Sequence, residues 1–471
     1  MRRAEITVFL SMVLILIVSF ILGIIGTVVI QTSKNRSRLE TDSAIFSIFG
    51  EYQKDLLEEY HIFAIEGTYK TGEFKEDRII GRMHYYGVGD TDHEITEIQF
   101  LTDNHGQAFR EQVTAYMESC YGVGLIRDFT GLTDKWEQQC IEGESIQNEE
   151  ETLTQRFEEL KEAAAAVSDT QEEGQEKAEE AETGNPFSCL EQIEKSGLLS
   201  VVMPDDMTLS GKTVDKKEQV SERLIHTGRG SFPARTGLDG IEERLLFNEY
   251  ILQSFTNASD NKEPDNENPR SLSYETEYIL SGKPSDKENL ESVLLKIFLI
   301  RTALNYAYLT GDMGKQAEAE ALAAAISILL LIPEGMEVVK QLVLFAWAAG
   351  ESTVDLRTLL SGNKVPLIKT KENWQVSLPE LLTLGEGFAK TGDEDAQGGI
   401  SYKDYLRIFL FMADQQDTTM RSLDRIEENL KSEYGMGYFR ADHCVSKIKL
   451  KNTAVILGDI TYTYPVYFGY E

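Results

Sequence analysis

Between Asp393 and Asp404 the chain reads Asp-Glu-Asp-Ala-Gln-Gly-Gly-Ile-Ser-Tyr-Lys-Asp. Asp393, Asp395, Gln397, Ser401 and Asp404 carry side-chain oxygens at about the 1, 3, 5, 9 and 12 positions of an EF-hand-like loop, and Gly399 offers its carbonyl at the seventh. Hard oxygen ligands around a tight glycine turn are the chemistry of calcium, so these six residues form a candidate metal loop. Gln397 is an unusual ligand there, and Asp404 is shorter than the bidentate glutamate that normally closes the cage. The competing reading is an acidic turn that caps a helix starting near Ser401.

Other chemical motifs stop short. Gly211-Lys212-Thr213 ends like a phosphate-binding loop, but Asp206 stands where the first glycine belongs. Gly311-Asp312-Met313-Gly314-Lys315 has Gln316 in place of the magnesium-holding hydroxyl. The six histidines form no HExxH, and no GxSxG elbow occurs. Cys120, Cys140, Cys189 and Cys444 lack CxxC spacing; Cys120 and Cys140 could bridge in an oxidising compartment, or all four could remain thiols, with Cys444 buried beside a strand. The expectation is a non-enzymatic protein without a cofactor other than calcium. An anchored hydrolase of new type ranks last.

The elements that would hold these residues begin at a membrane. Ile6 to Ile30 is a run of 25 residues without a charge. As a helix it spans about 37 Å, more than the roughly 30 Å hydrocarbon core of a bilayer. A cleaved secretory signal would have an apolar core of about 7 to 15 residues and a small-residue cleavage site. This run is longer and exits into Gln31-Thr32-Ser33-Lys34-Asn35-Arg36, so a retained anchor is the expectation. Arg2 and Arg3 on one flank face Lys34, Arg36 and Arg38 on the other, which leaves orientation open.

After the run, apolar residues become periodic. Leu39, Phe46 and Tyr60 share one heptad position, and Phe49, Leu56 and Phe63 another. The pattern predicts one helix from about Glu5 to about Tyr60, roughly 80 Å long, with these six residues as a face for a partner helix, a second copy of the chain, or the soluble part.

A net charge of −33 argues against nucleic acid and anionic headgroups as partners of the soluble part. The organisation read from the chain is 1–33 anchor, 34–66 amphipathic continuation, 67–147 a first α+β segment, 148–185 an acidic linker and 186–471 a C-terminal α+β domain. The linker carries 13 acidic against three basic residues from Asn148 to Thr183 and lacks core-forming residues. The first segment should hold strands at Ile62 to Glu66 and Glu94 to Leu101 and a helix from Gln107 to Tyr121. Asn257 to Pro269 reads as a loop. Ser273 to Leu280 reads as a strand, and Asp286 to Leu309 as a core helix capped by Ser285. Ala321 to Ile332 and Leu342 to Ala349 are too short to span a bilayer and read as a helical hairpin turning at Pro333 and Gly335. Helices follow at Val354 to Leu360, Leu378 to Leu384, Tyr402 to Met412 and Thr418 to Ser432, with a strand-like Val365 to Ile368. Two β-rich runs, Cys444 to Leu450 and Ala454 to Phe468, close the chain as a hairpin. The fold class is α+β with a mainly helical centre.

Several phrases together resemble a known family. They include Glu5-Ile6-Thr7-Val8-Phe9-Leu10-Ser11, Glu51-Tyr52 with Leu56-Leu57, Tyr60 and Phe63, Leu101-Thr102-Asp103, Tyr278-Ile279-Leu280-Ser281-Gly282-Lys283, Lys364-Val365-Pro366-Leu367, and Ser401-Tyr402-Lys403-Asp404-Tyr405-Leu406. They resemble uncharacterised bacterial single-pass proteins associated with Tad (tight-adherence) pilus loci of Gram-positive bacteria, whose N-terminus is similar to TadE and TadG pseudopilins. The resemblance implies an extracytoplasmic C-terminal domain and pilin-like or secretion-apparatus partners. Ala4 precedes Glu5, so the prepilin peptidase motif is absent, and the expectation is a stably anchored accessory component. The alternative is an extracytoplasmic calcium-dependent adhesin or sensor.

Overall fold

The computed structural model describes residues 2–88, 91–121, 186–205, 207–235, 237, 240–260, 269–329, 336–382, 399–456 and 460–470. It is mostly helical, with a small antiparallel sheet and a C-terminal β-hairpin, an α+β fold. The acidic stretch read as a linker, Cys140 and the turn at Pro333 lie outside the described residues.

Two compact units interleave along the chain. The first is Met1–Tyr116 with Arg223–Leu238 and Ile426–Glu471; the second is Met117–Glu222 with Asp239–Arg425.

The first unit opens with helix α1 (Arg2–Phe49), 48 residues long and apolar enough to cross a membrane, as an anchor or a signal sequence does. The sequence pattern predicts that this helix continues to Tyr60, but it stops at Phe49. Gly50, a poor helix former, closes its last turn onto the Phe46 carbonyl. The chain then extends at Gln53, whose N–H donates to the Ala64 carbonyl at 2.8 Å. A separate short helix, α2 (Lys54–Tyr60), buries Leu56 and Tyr60 and ends on His61 in the left-handed region, φ 58°.

Strand β1 (Ile65–Glu66), helix α3 (Glu76–Tyr85), strand β2 (Thr91–Phe100) and helix α4 over 103–121 follow, and the unit is completed by β3 (Cys444–Ile456) and β4 (Ile460–Gly469). The sheet is four-stranded and wholly antiparallel. β3 is its centre: β2 pairs along one edge from Val445 to Ala454, so β1 at Cys444 and Val445 and β4 from Lys447 to Ile456 share the other. The two β-rich runs expected to break between Leu450 and Ala454 are corrected accordingly. Lys451, Asn452 and Thr453 look like a turn but stay in the strand, because the buried Asn452 amide pairs with His93 Nδ1 at 2.6 Å. Ala44, Ile45, Ile48 and Phe49 of α1 enter one core with Ile79 and Met83 of α3 and with Ile95, Ile98, Phe100, Ile448 and Leu450 of the sheet. Each such side chain other than Ala44 is worth about 1.5–3 kcal/mol of burial.

Residues Arg223 to Arg229 bind to this unit by charge. Arg223 holds Glu427 at 2.6 Å and Asp442 at 2.6 Å, and Asp442 also accepts from the His226 N–H. Gly228 sits so close to β2 that a Cβ would collide with the Ile98 carbonyl oxygen.

The second unit contains α5 (Ser188–Ser196), α6 (Leu199–Val202), α7 (Ile241–Ser254), α8 (Glu275–Ser281), α9 (Asp286–Gly311), α10 (Met313–Leu329), α11 (Met336–Leu360), α12 (Leu378–Leu381) and α13 (Tyr402–Met412), and α14 (Gln415–Glu433) begins in it. α9 starts where its cap predicts, with Ser285 Oγ accepting from the Glu288 N–H. α9, also long enough for a span, is half buried within the unit and is a core helix. α10 and α11 are the expected hairpin arms, both longer than their apolar runs, and Trp347 lies at the centre of their core with Leu309, Ala319 and Val343.

The stretch Ser273 to Leu280, expected as a strand, is helix α8. Glu275 and Glu277 alternate with Tyr274, Thr276 and Tyr278, residue types frequent in strands, and so mimic a half-exposed strand, yet both are buried. Their carboxylates accept the backbone N–H groups of Thr256 and Ala258 at 3.0 and 2.8 Å, which lets a helix with charged residues sit inside the core. The expected strand at Val365 to Ile368 reduces to one bridge, Val365 to Ile400.

Candidate functional site at the neck of the first unit

The calcium-like loop is described only at its end. Asp393, Asp395 and Gln397 lie outside the described residues, and Gly399, Ser401 and Asp404 lie within them. Ser401 and Asp404 form a reciprocal capping box at the start of α13: Ser401 Oγ accepts from the Asp404 N–H, and Asp404 Oδ2 accepts from the Ser401 N–H at 2.9 Å. Asp404 Oδ1 is taken by Arg407. Both oxygens therefore have structural work. Asp404→Ala is expected to cost about 1 kcal/mol, read as a lowered thermal midpoint of the second unit. Among the described residues no group of three or more His, Cys, Asp or Glu side chains could hold a metal ion.

The most concentrated buried charge lies between α9 and α11. Arg301 donates to Asp355 Oδ2 at 2.7 and 3.0 Å, and Lys369 Nζ reaches Glu351 Oε1 at 2.6 Å and Asp355 Oδ1 at 2.7 Å. Arg301 also donates to the Pro366 and Leu367 carbonyls, and Glu351 accepts from the Val376 N–H. Burial opposes the Asp355 carboxylate, but Arg301 and Lys369 outweigh it and hold its pKa below the ordinary range. All four side chains are sealed from solvent. The network fastens the segment around Pro366 to Lys369 and has no open face for a substrate.

A second perturbed group is Glu277. Burial pushes its pKa up to about 7, against hydrogen bonds from the Ala258 N–H and the Tyr402 hydroxyl. Glu277 Oε2 has no hydrogen-bonding partner among the described residues.

The neck of α1 is held on one side and exposes large apolar side chains on the other. The folded part grips one stripe of the helix. Thr41 Oγ1 shares a buried hydrogen bond of 2.7 Å with the Tyr464 hydroxyl, which donates to the Ser37 carbonyl at 2.8 Å. Phe49 lies against Phe468 and Tyr470, centroids 4.6 and 4.9 Å apart, and Lys34 and Arg38 lie over Tyr462 at 5.0 and 5.4 Å. The other side is largely exposed: Leu39 is 69% and Phe46 68% exposed, Phe46 meeting Phe468 only edge-on with centroids 6.0 Å apart.

The six residues predicted to form one partner face are thus divided. Phe49, Leu56 and Tyr60 are buried in the first unit, Tyr60 accepting from Asn429 Nδ2 at 3.0 Å. Phe63 is half covered by Tyr52 and Tyr470, and its backbone is held by the Gln112 amide. Leu39 and Phe46 remain outward. The break at Gly50 takes Leu56, Tyr60 and Phe63 off the helix that carries Leu39 and Phe46, which a heptad count carried through a turn cannot register, while Phe49, still on α1, is turned inward onto Phe468 and Tyr470. The aromatic side chains that hold the neck carry only a faint signal in the sequence: Tyr462, Tyr464 and Phe468 of β4, with Val466 between them and Tyr470 just past the strand, fall at alternate positions, the spacing of one strand face.

A membrane-length N-terminal helix built into a folded α+β body defines the class of protein. The chain belongs to the family of unknown function DUF5702, which it matches over residues 176–456, more than half its length. No curated protein and no solved structure matches it.

Proposed function

We propose that this protein is a membrane-anchored, pseudopilin-like accessory component of a Tad-type pilus or secretion apparatus, with its folded part outside the cytoplasm, acting through protein–protein contacts along α1. The observation that carries this reading is the exposure of Leu39 and Phe46 on a helix whose other stripe is already committed to its own fold. Large apolar side chains seven residues apart, on the continuation of an apolar helix, suit a neighbouring helix of the same build. The phrase resemblance to proteins of Tad loci supplies the kind of neighbour.

Photoreactive residues placed at Leu39, Phe46 and Phe49 in intact cells test the reading. Crosslinks to a pilin-like protein are expected from positions 39 and 46 and none from the buried position 49. Crosslinking from neither exposed position would overturn it, as would protection of the folded part from protease added outside the cell.

A further inference from the structure

We propose that Val455 near the end of β3 and Ile460 at the start of β4 are a second membrane contact of this chain, seated in the lipid interface beside the end of the apolar run. The inference rests on the reading of α1 as a retained anchor and adds a site to it.

The argument is one of level along the helix. β4 runs alongside α1 in the same direction: Tyr462 meets Lys34 and Arg38, Tyr464 meets Ser37 and Thr41, and Phe468 meets Phe46 and Phe49. Four residues of strand from Tyr464 to Phe468 cover about 13 Å, which is about nine residues of helix. The contacts keep that ratio, advancing from around residue 39 to between residues 46 and 49. Taken back by the same length, Ile460 falls beside helix residues 30 to 32, where the uncharged run ends.

The exposure of α1 agrees independently. Val29, Ile30, Ser33, Lys34 and Ser37 are partly covered, while Val28, Gln31, Thr32, Asn35 and Arg36 are exposed. The covered positions extend the stripe of Thr41, Ala44, Ile45 and Ile48 back to the last residues of the apolar run, so the folded body reaches that level.

What stands there suits lipid. Val455 is 64% and Ile460 43% exposed, in a hairpin whose next outward residues, Thr461 and Thr463, are polar. Tyr462 follows with Lys34 and Arg38 over its ring, an aromatic at headgroup level with cations beside it. A run of about 37 Å in a roughly 30 Å core also brings its last residues into the interface, within reach of short apolar side chains on the hairpin. The occupant is the bilayer interface, because Ile460 lies on the strand face that meets α1 while Val455 lies on the opposite face, and two single apolar side chains on the two faces of a strand end suit surrounding lipid and are too small to seat a folded partner.

The test uses the full chain in vesicles of phosphatidylcholine and phosphatidylglycerol, with Cys120→Ser and Cys140→Ser in the background. Nitroxide labels are attached at cysteines substituted singly for Val455, Ile460, Thr463 and Val13, and collision with oxygen is compared with collision with a water-soluble nickel complex. The oxygen-to-nickel ratio is expected to be several-fold higher at positions 455 and 460 than at 463, approaching that at 13. Equal ratios at 455, 460 and 463 with a lipid-like ratio at 13 would overturn the hairpin contact and leave the anchor standing. A water-like ratio at 13 would overturn both.

Discussion

Asp355→Ala is expected to lower the stability of the second unit by about 3–5 kcal/mol, the range for removing one partner of a fully buried charge group. Asp355 lies at the centre of a balanced set of two cations and two carboxylates, with Arg301, Lys369 and Glu351 all sealed from water. Removing it leaves Arg301 with the Pro366 and Leu367 carbonyls and the Tyr405 hydroxyl, and Lys369 with Glu351 and the Asn373 carbonyl, so two cations face one carboxylate. Asn305, which also donates to Asp355 Oδ2 at 3.1 Å, loses that acceptor. Asp355→Asn keeps the shape and removes the charge, so it should lose nearly as much if the excess positive charge dominates. The comparison is Glu320→Ala, which removes the half-exposed partner of Lys340 and should cost less than about 1 kcal/mol. Unfolding followed by the emission of Trp347 and Trp374, both in this unit, measures all three. Equal losses for Asp355→Ala and Glu320→Ala would show that the network contributes no more than a surface pair.

Elements whose formation rests on local chemistry were legible in the sequence. α9 is marked by Ser285 and α13 by the Ser401 and Asp404 box, and in both the side chain meets an N–H three residues on, which neighbouring letters disclose. The apolar run of α1 is legible because absence of charge over 25 residues is a bulk property. What was lost depends on distant partners. α8 is a helix because Glu275 and Glu277 find backbone donors in the segment before it, and α3 carries only Ile79 and Met83 inward, too few for a periodic signal. Arg223 joins the first unit through Glu427 and Asp442, some two hundred residues away, and no spacing rule reaches that far. The neck shows the same division: the heptad letters Leu39, Phe46, Phe49 and Leu56 were visible, but which of them faces outward was decided by β4 and by the turn at Gly50.

Glu277 gives the second large effect, and its sign is opposite to that of an ordinary paired carboxylate. Its folded pKa is raised from 4.5 to about 7, first because burial penalises the charged form. Between those values the folded state binds the proton that the unfolded chain has released, so stability falls as pH rises. The contribution is complete below about pH 4.5 and is lost by about pH 7, a change of about 3 kcal/mol at 1.36 kcal/mol per pKa unit. Glu277→Gln supplies a permanently neutral group of the same shape whose carbonyl can accept from Ala258 and Tyr402. The wild type and this variant should unfold at similar temperatures at pH 5. At pH 8 the variant should unfold higher by roughly 6–12 °C, for about 3 kcal/mol in a unit of this size. Asp286 and Asp424 are also raised by burial and will slope both curves alike, so the difference between the two proteins is the quantity to read. A difference that stays constant from pH 5 to pH 8 would mean that Glu277 is ionised within the fold and that its neighbours stabilise the charge.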